Sequence, residues 1–200
     1  DALSQEEFEQ IKEHPVNSVI QIIKLNVSGD LKAKVMLPPF EHHMNYDLSG
    51  YPRVEGKKSL SLFGRILAIA DVYDGMTSPR SYRPKTLSPD HVLRTMLEGS
   101  RTQFDPILLK VFVNMLGVYP IGTFLVLDTK EICLVKETPV DFESARPVVV
   151  ILTYTEEGIF EKGDVINLAA RDPHSGNYLR NIVRCDHPSN YGIQPADFLF

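Results

Sequence analysis

In the N-terminal part of the chain, hydrophobic residues recur at the spacing of helices. Ser4 and Glu7 have the spacing of a capping box, and apolar positions follow directly. This pattern predicts a first helix that ends near His14, because the residue before a proline is disfavoured in helical geometry. Pro15 can then begin a second helix, which we expect to run to about Asn26 and to bury Val19, Ile20 and Ile23.

Proline also marks the third helical segment. Residues 31–45 have helical spacing at both ends, but Pro38-Pro39 lies between them. Proline lacks the N–H group that a helix interior uses, so we expect this pair to break or kink the segment. Residues 61–77 predict a longer helix, and helices at 89–98 and 106–116 follow, each opened by a capping residue and a proline.

The pattern changes near Gly117, after which short β-type runs are separated by turn residues. These runs cover residues 123–127, 132–137, 147–153 and 165–168. The sequence therefore predicts a mainly α protein. A helical domain over residues 1–117 is expected to precede a small β-rich subdomain over residues 118–200.

The charge of the chain limits its partners. The 200 residues carry a formal net charge of −5, whereas a general nucleic-acid-binding surface is normally basic. No apolar run approaches the roughly 20 residues needed to cross a membrane, so no membrane span is expected. Cys133 and Cys185 match no zinc spacing and indicate no disulfide framework. We therefore expect a reducing, cytoplasmic setting without nucleic acid.

Three histidines are candidates for metal ligands. Neighbouring residues on a helix point about 100° apart, so the adjacent His42 and His43 would suit two ions side by side, one imidazole each. The alternative is one buried and one surface histidine. His14 would lie at a helix end, where attraction to the helix dipole is the alternative reason for its presence.

Two aspartates lie on the predicted helix at 61–77. Asp71 falls within an otherwise apolar face, which is costly unless the carboxylate is paired or binds a cation. Asp74 is one turn further on and shares the same side. A salt-bridged aspartate is the alternative. Histidine and aspartate together suit Fe(II), Mn(II) or Zn(II) better than calcium or magnesium.

A loop that follows this helix carries two arginines. Arg80 and Arg83 are close in sequence, and the arginine fork binds phosphate in a bidentate way. Most surface arginines have no such role, so an ordinary exposed loop is the alternative.

A second loop reads DLSGYP at residues 47–52. Asp47 and Gly50 predict a turn. Pro52 stiffens the chain after it, and Tyr51 would be presented at the loop tip. The alternative is a structured loop without a contact role.

The order of these motifs is more specific than any one of them. From the N-terminus they read IKEHP at 11–15, HH at 42–43, DLSGYP at 47–52, ILAIADVYDGMTS at 66–78, RSYR at 80–83, QFDP at 103–106 and YPIGT at 119–123. This ordered set resembles the HD-GYP domain family. The resemblance implies an HD-superfamily helical fold and a metal-dependent phosphodiesterase that hydrolyses cyclic di-GMP in bacterial second-messenger signalling.

The resemblance also implies a ligand set. By position in the motifs, the metal ligands would be His14, His42, His43 and Asp71, with Asp74 as structural support. The family binds two or three divalent ions, most often iron or manganese. A hydroxide that bridges two of these ions would attack phosphorus, because bound metals lower the pKa of water.

The same resemblance implies a role for the arginine loop and for the loop at residues 47–52. Arg80 and Arg83 would face the phosphates or guanines of cyclic di-GMP. Asp47 and the Gly50-Tyr51-Pro52 turn would form a contact surface, in some members for a diguanylate cyclase domain. The oligomeric state stays open, with a homodimer as one alternative.

Three differences from the family pattern leave a second function open. The His-Asp pair that gives the family its name would lie on a helix upstream of Asp1. Met44 stands where a glutamate is usual, and Leu48 where a glycine is usual. Leucine is disfavoured there if the position needs a positive φ. The alternative is a catalytically degenerate signalling module that binds a nucleotide or a partner protein without turnover.

Overall fold

A computed structural model of the chain describes residues 4–79, 86–139 and 145–200. The helices in these residues are α1 (Gln5–Ile11), α2 (His14–Lys24), α3 (Gly29–Glu41), α4 (Leu62–Thr77), α5 (Pro89–Glu98), α6 (Pro106–Leu116) and α7 (Ala196–Leu199). The strands are β1 (Phe124–Leu127), β2 (Ile132–Glu137), β3 (Val148–Tyr154), β4 (Phe160–Asn167) and β5 (Ile182–Asp186). Because the described strands form a substantial sheet, the description of the whole chain as mainly α is only partly correct.

The first helix begins as its sequence predicts, and the second begins one residue earlier than expected. The Ser4 hydroxyl accepts a hydrogen bond from the Glu7 amide at 3.2 Å, and the Glu7 carboxylate accepts one from the Ser4 amide at 2.7 Å. The predicted capping box is therefore confirmed. His14 is the first residue of α2 instead of the end of α1, and Pro15 lies in the first turn, where no amide donor is needed.

Helix α3 runs through Pro38 and Pro39, so the expected break is wrong, and the alternative of a kink stays a prediction. Each proline removes one amide donor and leaves a carbonyl one turn earlier without its helical partner. Because α3 ends at Glu41, both prolines fall in its last turn. The His42 amide then donates to the Pro38 carbonyl at 3.1 Å, which closes the helix.

One face of α2 remains exposed. Ile20 is 43% exposed and Ile23 is 54% exposed, so the predicted burial of these two residues is wrong. Helix α2 packs against α3, but no element among the described residues covers the outer side of Ile23. Helical periodicity gives the apolar face of a helix and does not state what covers that face.

The strands form a five-stranded antiparallel sheet in the order β4-β3-β2-β1-β5. Alternation along β1 directs Leu125 to one face and Phe124 to the other, and each lies in a separate buried cluster. Cys133 and Cys185 pair with Leu125 from either side, and both thiols are free. Burial raises the pKa of the Cys133 thiol to about 12, so this cysteine is a core residue and not a nucleophile.

The described residues fall into two compact units. The helical unit comprises residues 4–76 and 95–112, and the sheet unit comprises the remaining described residues. The boundary at residue 117 stays a prediction. Among the described helices, none has the length and apolar character required to span a bilayer.

Candidate metal centre

Three histidines from two helix ends meet in the helical unit. His14 begins α2, and His42 and His43 follow the last residue of α3. One ligand-capable atom from each residue lies within 4.8 Å of the others. The structure therefore brings together three of the four residues expected to bind metal.

The adjacent histidines are not on a helix. His42 is the C-cap of α3 and His43 lies beyond it, so the angular separation of helical neighbours does not apply to this pair. Their ring centroids are 4.1 Å apart with an interplanar angle of 38°. Both rings also approach His14, at centroid distances of 5.0 Å for His42 and 4.8 Å for His43. This grouping is compatible with a shared ion, and the number of ions stays a prediction.

The hydrogen bonds of His14 and His42 select one tautomer. Nδ1 of His14 lies 2.6 Å from the carbonyl oxygen of Ile11, and Nδ1 of His42 lies 2.8 Å from that of Pro39. A carbonyl oxygen can only accept, so each Nδ1 carries the hydrogen and donates it. Metal-binding histidines are typically held by such a bond, which leaves Nε2 free to coordinate.

The two Nε2 atoms that remain face each other at 2.9 Å. Two lone pairs repel at this distance unless a proton or a cation lies between them. A separation near 3 Å also fits two nitrogens on one ion, since a metal–imidazole bond is about 2.1 Å long. The donor set is thus suited to a divalent transition metal.

The environment keeps two of the imidazoles neutral. Burial lowers the pKa of His42, and the nearby Asp71 charge only partly opposes this. Burial, with repulsion from His42, lowers the pKa of His43 to about 4. At neutral pH both rings therefore offer a lone pair, which a metal ligand requires.

The two aspartates of α4 differ in their relation to the histidines. Asp71 is half-buried and acts on His42 and His43 through its charge, although it is not part of the compact histidine group. Asp74 is exposed on the same helix, and its supporting role stays a prediction.

The turn after the histidines is built by its own side chains. The Asp47 carboxylate accepts hydrogen bonds from the Ser49 amide at 2.9 Å and from the Ser49 hydroxyl. Leu48 has a φ of +69° and Gly50 a φ of +86°. A Cβ at Gly50 would lie 2.4 Å from the carbonyl oxygen of His43, so only glycine fits there.

Tyr51 packs against a candidate ligand instead of extending from the loop tip. Its ring stacks on His43 at a centroid distance of 4.7 Å and an angle of 29°, and its amide donates to the His43 carbonyl at 3.1 Å. Burial, together with the Asp71 charge, raises the pKa of the Tyr51 phenol. Pro52 follows across a cis peptide bond. The turn therefore supports His43, and its role as a contact surface stays a prediction.

A cavity of about 230 Å³ opens beside these residues. His42, His43 and Tyr51 line one part of it, and Val72 and Gln103 line another. Arg80 and Arg83, the expected phosphate ligands, lie outside the described residues, so their relation to the cavity is not described.

Sequence reasoning missed the buried carboxylate of Glu41. This residue is 1% exposed and pairs with Lys57 at 2.6 Å. The available signal was an acidic residue directly before two histidines, but its partners lie many residues further along the chain.

Comparison with known proteins identifies the family of the chain. The profile of the HD domain family matches residues 1–108. A cyclic di-GMP phosphodiesterase of Pseudomonas aeruginosa is 32% identical over 135 residues, which are 68% of this chain and 31% of the relative. A cyclic di-GMP phosphodiesterase of Vibrio cholerae is 33% identical over 114 residues, which are 56% of this chain and 23% of the relative.

The cyclic di-GMP phosphodiesterase PdeB of Borreliella burgdorferi matches a longer stretch. It is 24% identical over 167 residues, which are 84% of this chain and 41% of the relative. The chain thus spans less than half the length of each of these three curated relatives. With the family profile covering more than half of the chain and the motifs in the expected order, the chain belongs to the HD domain family and is of the HD-GYP type.

Proposed function

We propose that this chain is part of a metal-dependent phosphodiesterase that hydrolyses cyclic di-GMP. The observation that carries the proposal is the pair of Nε2 atoms of His14 and His42, which face each other at 2.9 Å while both Nδ1 atoms donate to carbonyls. The names of the similar proteins support the substrate, since all three act on cyclic di-GMP.

Each residue of the candidate site would have a separate role in such an enzyme. His14, His42 and His43 offer imidazole nitrogens as ligands, and the nearby Asp71 supplies negative charge. Tyr51 holds the ring of His43 in one orientation by stacking on it. When bound, divalent ions supply an activated water and offset charge on the phosphoryl oxygens. By resemblance, Arg80 and Arg83 are proposed to bind the phosphates or guanines.

The proposed metal is iron or manganese. Imidazole and carboxylate donors together suit these ions better than calcium or magnesium, which prefer oxygen ligands alone. Contact of the Gly50-Tyr51-Pro52 turn with a diguanylate cyclase domain is a weaker proposal. The stacking of Tyr51 on His43 already gives the Tyr51 ring a role that needs no partner protein.

The test is hydrolysis of cyclic di-GMP by the whole protein, loaded anaerobically with Fe(II) or Mn(II). Asp71→Ala should abolish turnover. Asp30→Ala is the matched control, because Asp30 is an exposed aspartate of the same unit and forms an ion pair with the surface residue Lys34. Asp30→Ala should leave turnover unchanged.

Other results would have a different meaning. Metal binding without turnover in the unsubstituted protein would refute the enzymatic proposal and favour the degenerate module that binds a nucleotide or a partner. Equal turnover in Asp71→Ala and in the unsubstituted protein would exclude Asp71 from the site.

A further inference from the structure

Glu41 is the last residue of α3 and directly precedes His42 and His43. Its carboxylate is buried, with the side chain 1% exposed. Among the described residues, Glu41 and Asp105 are the acidic side chains that are buried. An ionised carboxylate in such a position requires full pairing, because burial without partners is strongly unfavourable.

Both oxygens of this carboxylate are paired to the segment that leads into α4. Oε1 accepts a hydrogen bond from Nζ of Lys57 at 2.6 Å, and Oε2 accepts one from the amide of Ser61 at 2.8 Å and another from its hydroxyl. The Ser61 hydroxyl in turn accepts from the Gly64 amide at 3.0 Å. The end of α3 is therefore bonded to the first turn of α4.

Gly64 of α4 also shows how closely the Glu41 side chain approaches this helix. A Cβ at Gly64 would lie 2.3 Å from Oε2 of Glu41 and 2.9 Å from its Cβ. Glycine, which has no Cβ, leaves the space that the buried carboxylate occupies.

We propose that Glu41 is a positioning residue, which fixes the histidine pair at the end of α3 relative to Asp71 on α4. This inference rests on the proposed function. Glu41 binds no metal in this role. It acts through His42 and His43, whose backbone continues directly from its own, and through the helix that carries Asp71.

A second buried carboxylate provides a comparison. Asp105 is 5% exposed, pairs with Arg65 of α4 and accepts hydrogen bonds from the amides of Ile107 and Leu108 in α6. Asp105 belongs to the same unit as Glu41 and is paired to a similar degree. In the sequence, however, Asp105 is not next to any of the three histidines. Asp105→Asn is therefore a matched control for the loss of a buried ion pair.

The experiment compares Glu41→Gln with Asp105→Asn in the whole protein. Two quantities are measured for each, namely the affinity for Mn(II) by titration calorimetry and the melting temperature without metal. Loss of a residue that orients metal ligands typically lowers metal affinity about 10- to 100-fold, and we expect this for Glu41→Gln. Asp105→Asn should lower the melting temperature while leaving the affinity within about two-fold.

A second variant disturbs the contact between Glu41 and α4 from the side of α4. Gly64→Ala places a methyl group where Oε2 of Glu41 lies, and it should lower Mn(II) affinity in the same direction. This variant also decides the outcome if Glu41→Gln fails to fold.

Three results would overturn the inference. Unchanged Mn(II) affinity in Glu41→Gln or Gly64→Ala would show that the contact does not position the ligands. Equal losses of affinity in Glu41→Gln and Asp105→Asn would show general destabilisation only. If the unsubstituted protein itself bound no Mn(II), the proposed function would fail, and the role of Glu41 with it.

Discussion

Leu48 holds a backbone conformation that its side chain disfavours. Its φ of +69° lies in the left-handed region, which costs an L-residue about 1–2 kcal/mol. Glycine avoids this strain but loses more backbone freedom on folding, about 0.5–1 kcal/mol relative to alanine. At Leu48 the cost of the left-handed φ is larger than the cost of the backbone freedom that glycine loses on folding. Glycine should therefore be more stable than alanine here, although alanine is more stable at ordinary positions.

The comparison uses Leu48→Ala and Leu48→Gly because both remove the half-buried leucine side chain. Their difference isolates the backbone contribution, which we expect to favour glycine by about 0.5–1 kcal/mol. For a chain of this size, 1 kcal/mol corresponds to about 2–4 °C in melting temperature. Leu48→Gly should thus melt about 1–4 °C above Leu48→Ala, as measured by calorimetry at neutral pH without metal.

A control pair at Lys58 checks that the difference comes from φ. Lys58 is exposed in the same part of the chain and does not have a positive φ. Lys58→Gly should melt at or below Lys58→Ala. The reasoning about strain would be refuted if Leu48→Gly melted no higher than Leu48→Ala, or if the Lys58 pair showed the same preference for glycine.

Substitutions at three further positions of the helical unit are also informative. Gly50→Ala should lower both the melting temperature and the Mn(II) affinity, because its Cβ would lie 2.4 Å from the His43 carbonyl oxygen. Tyr51→Phe should retain Mn(II) affinity and Tyr51→Leu should weaken it several-fold, since only phenylalanine preserves the stack on His43. Burial alone would raise the pKa of Asp105, but hydrogen bonds from the Leu108 amide and from Arg65 lower it below 3.8. The charge of Asp105 therefore contributes stability above about pH 4, and this stability is lost as pH falls through the lower folded pKa. Urea titrations should show Asp105→Asn destabilised at pH 7 and closer to the unsubstituted protein near pH 3.

Local sequence rules predicted the beginnings of elements better than their interiors. The capping box of Ser4 and Glu7 was confirmed, because it depends on atoms three residues apart. The break expected at Pro38-Pro39 was wrong, because α3 continues to Glu41 although neither proline can donate the helical hydrogen bond to the preceding turn. The exposure of Ile23 could not be predicted either, because periodicity does not identify the covering element.

In the candidate site, too, short sequence motifs identified some residues, whereas a residue with partners far away in the sequence was missed. The order of the motifs led to His14, His42 and His43, and the structure brings these three together. Glu41 was not recognised, because its burial depends on Lys57 and Ser61, which lie 16 and 20 residues further along the chain. Charge and burial of a side chain at one position are decided by partners that a local pattern does not contain.

The position of the histidines at helix ends also affects how they would hold a cation. His42 and His43 follow the C-terminus of α3, where the last carbonyl groups give the helix end a partial negative charge. A cation is favoured there, and the Pro39 carbonyl already accepts the Nδ1 hydrogen of His42 at 2.8 Å. His14 approaches from the N-terminus of α2, where the helix dipole disfavours a cation. A divalent ion held by His42 and His43 would therefore be favoured by the dipole of α3.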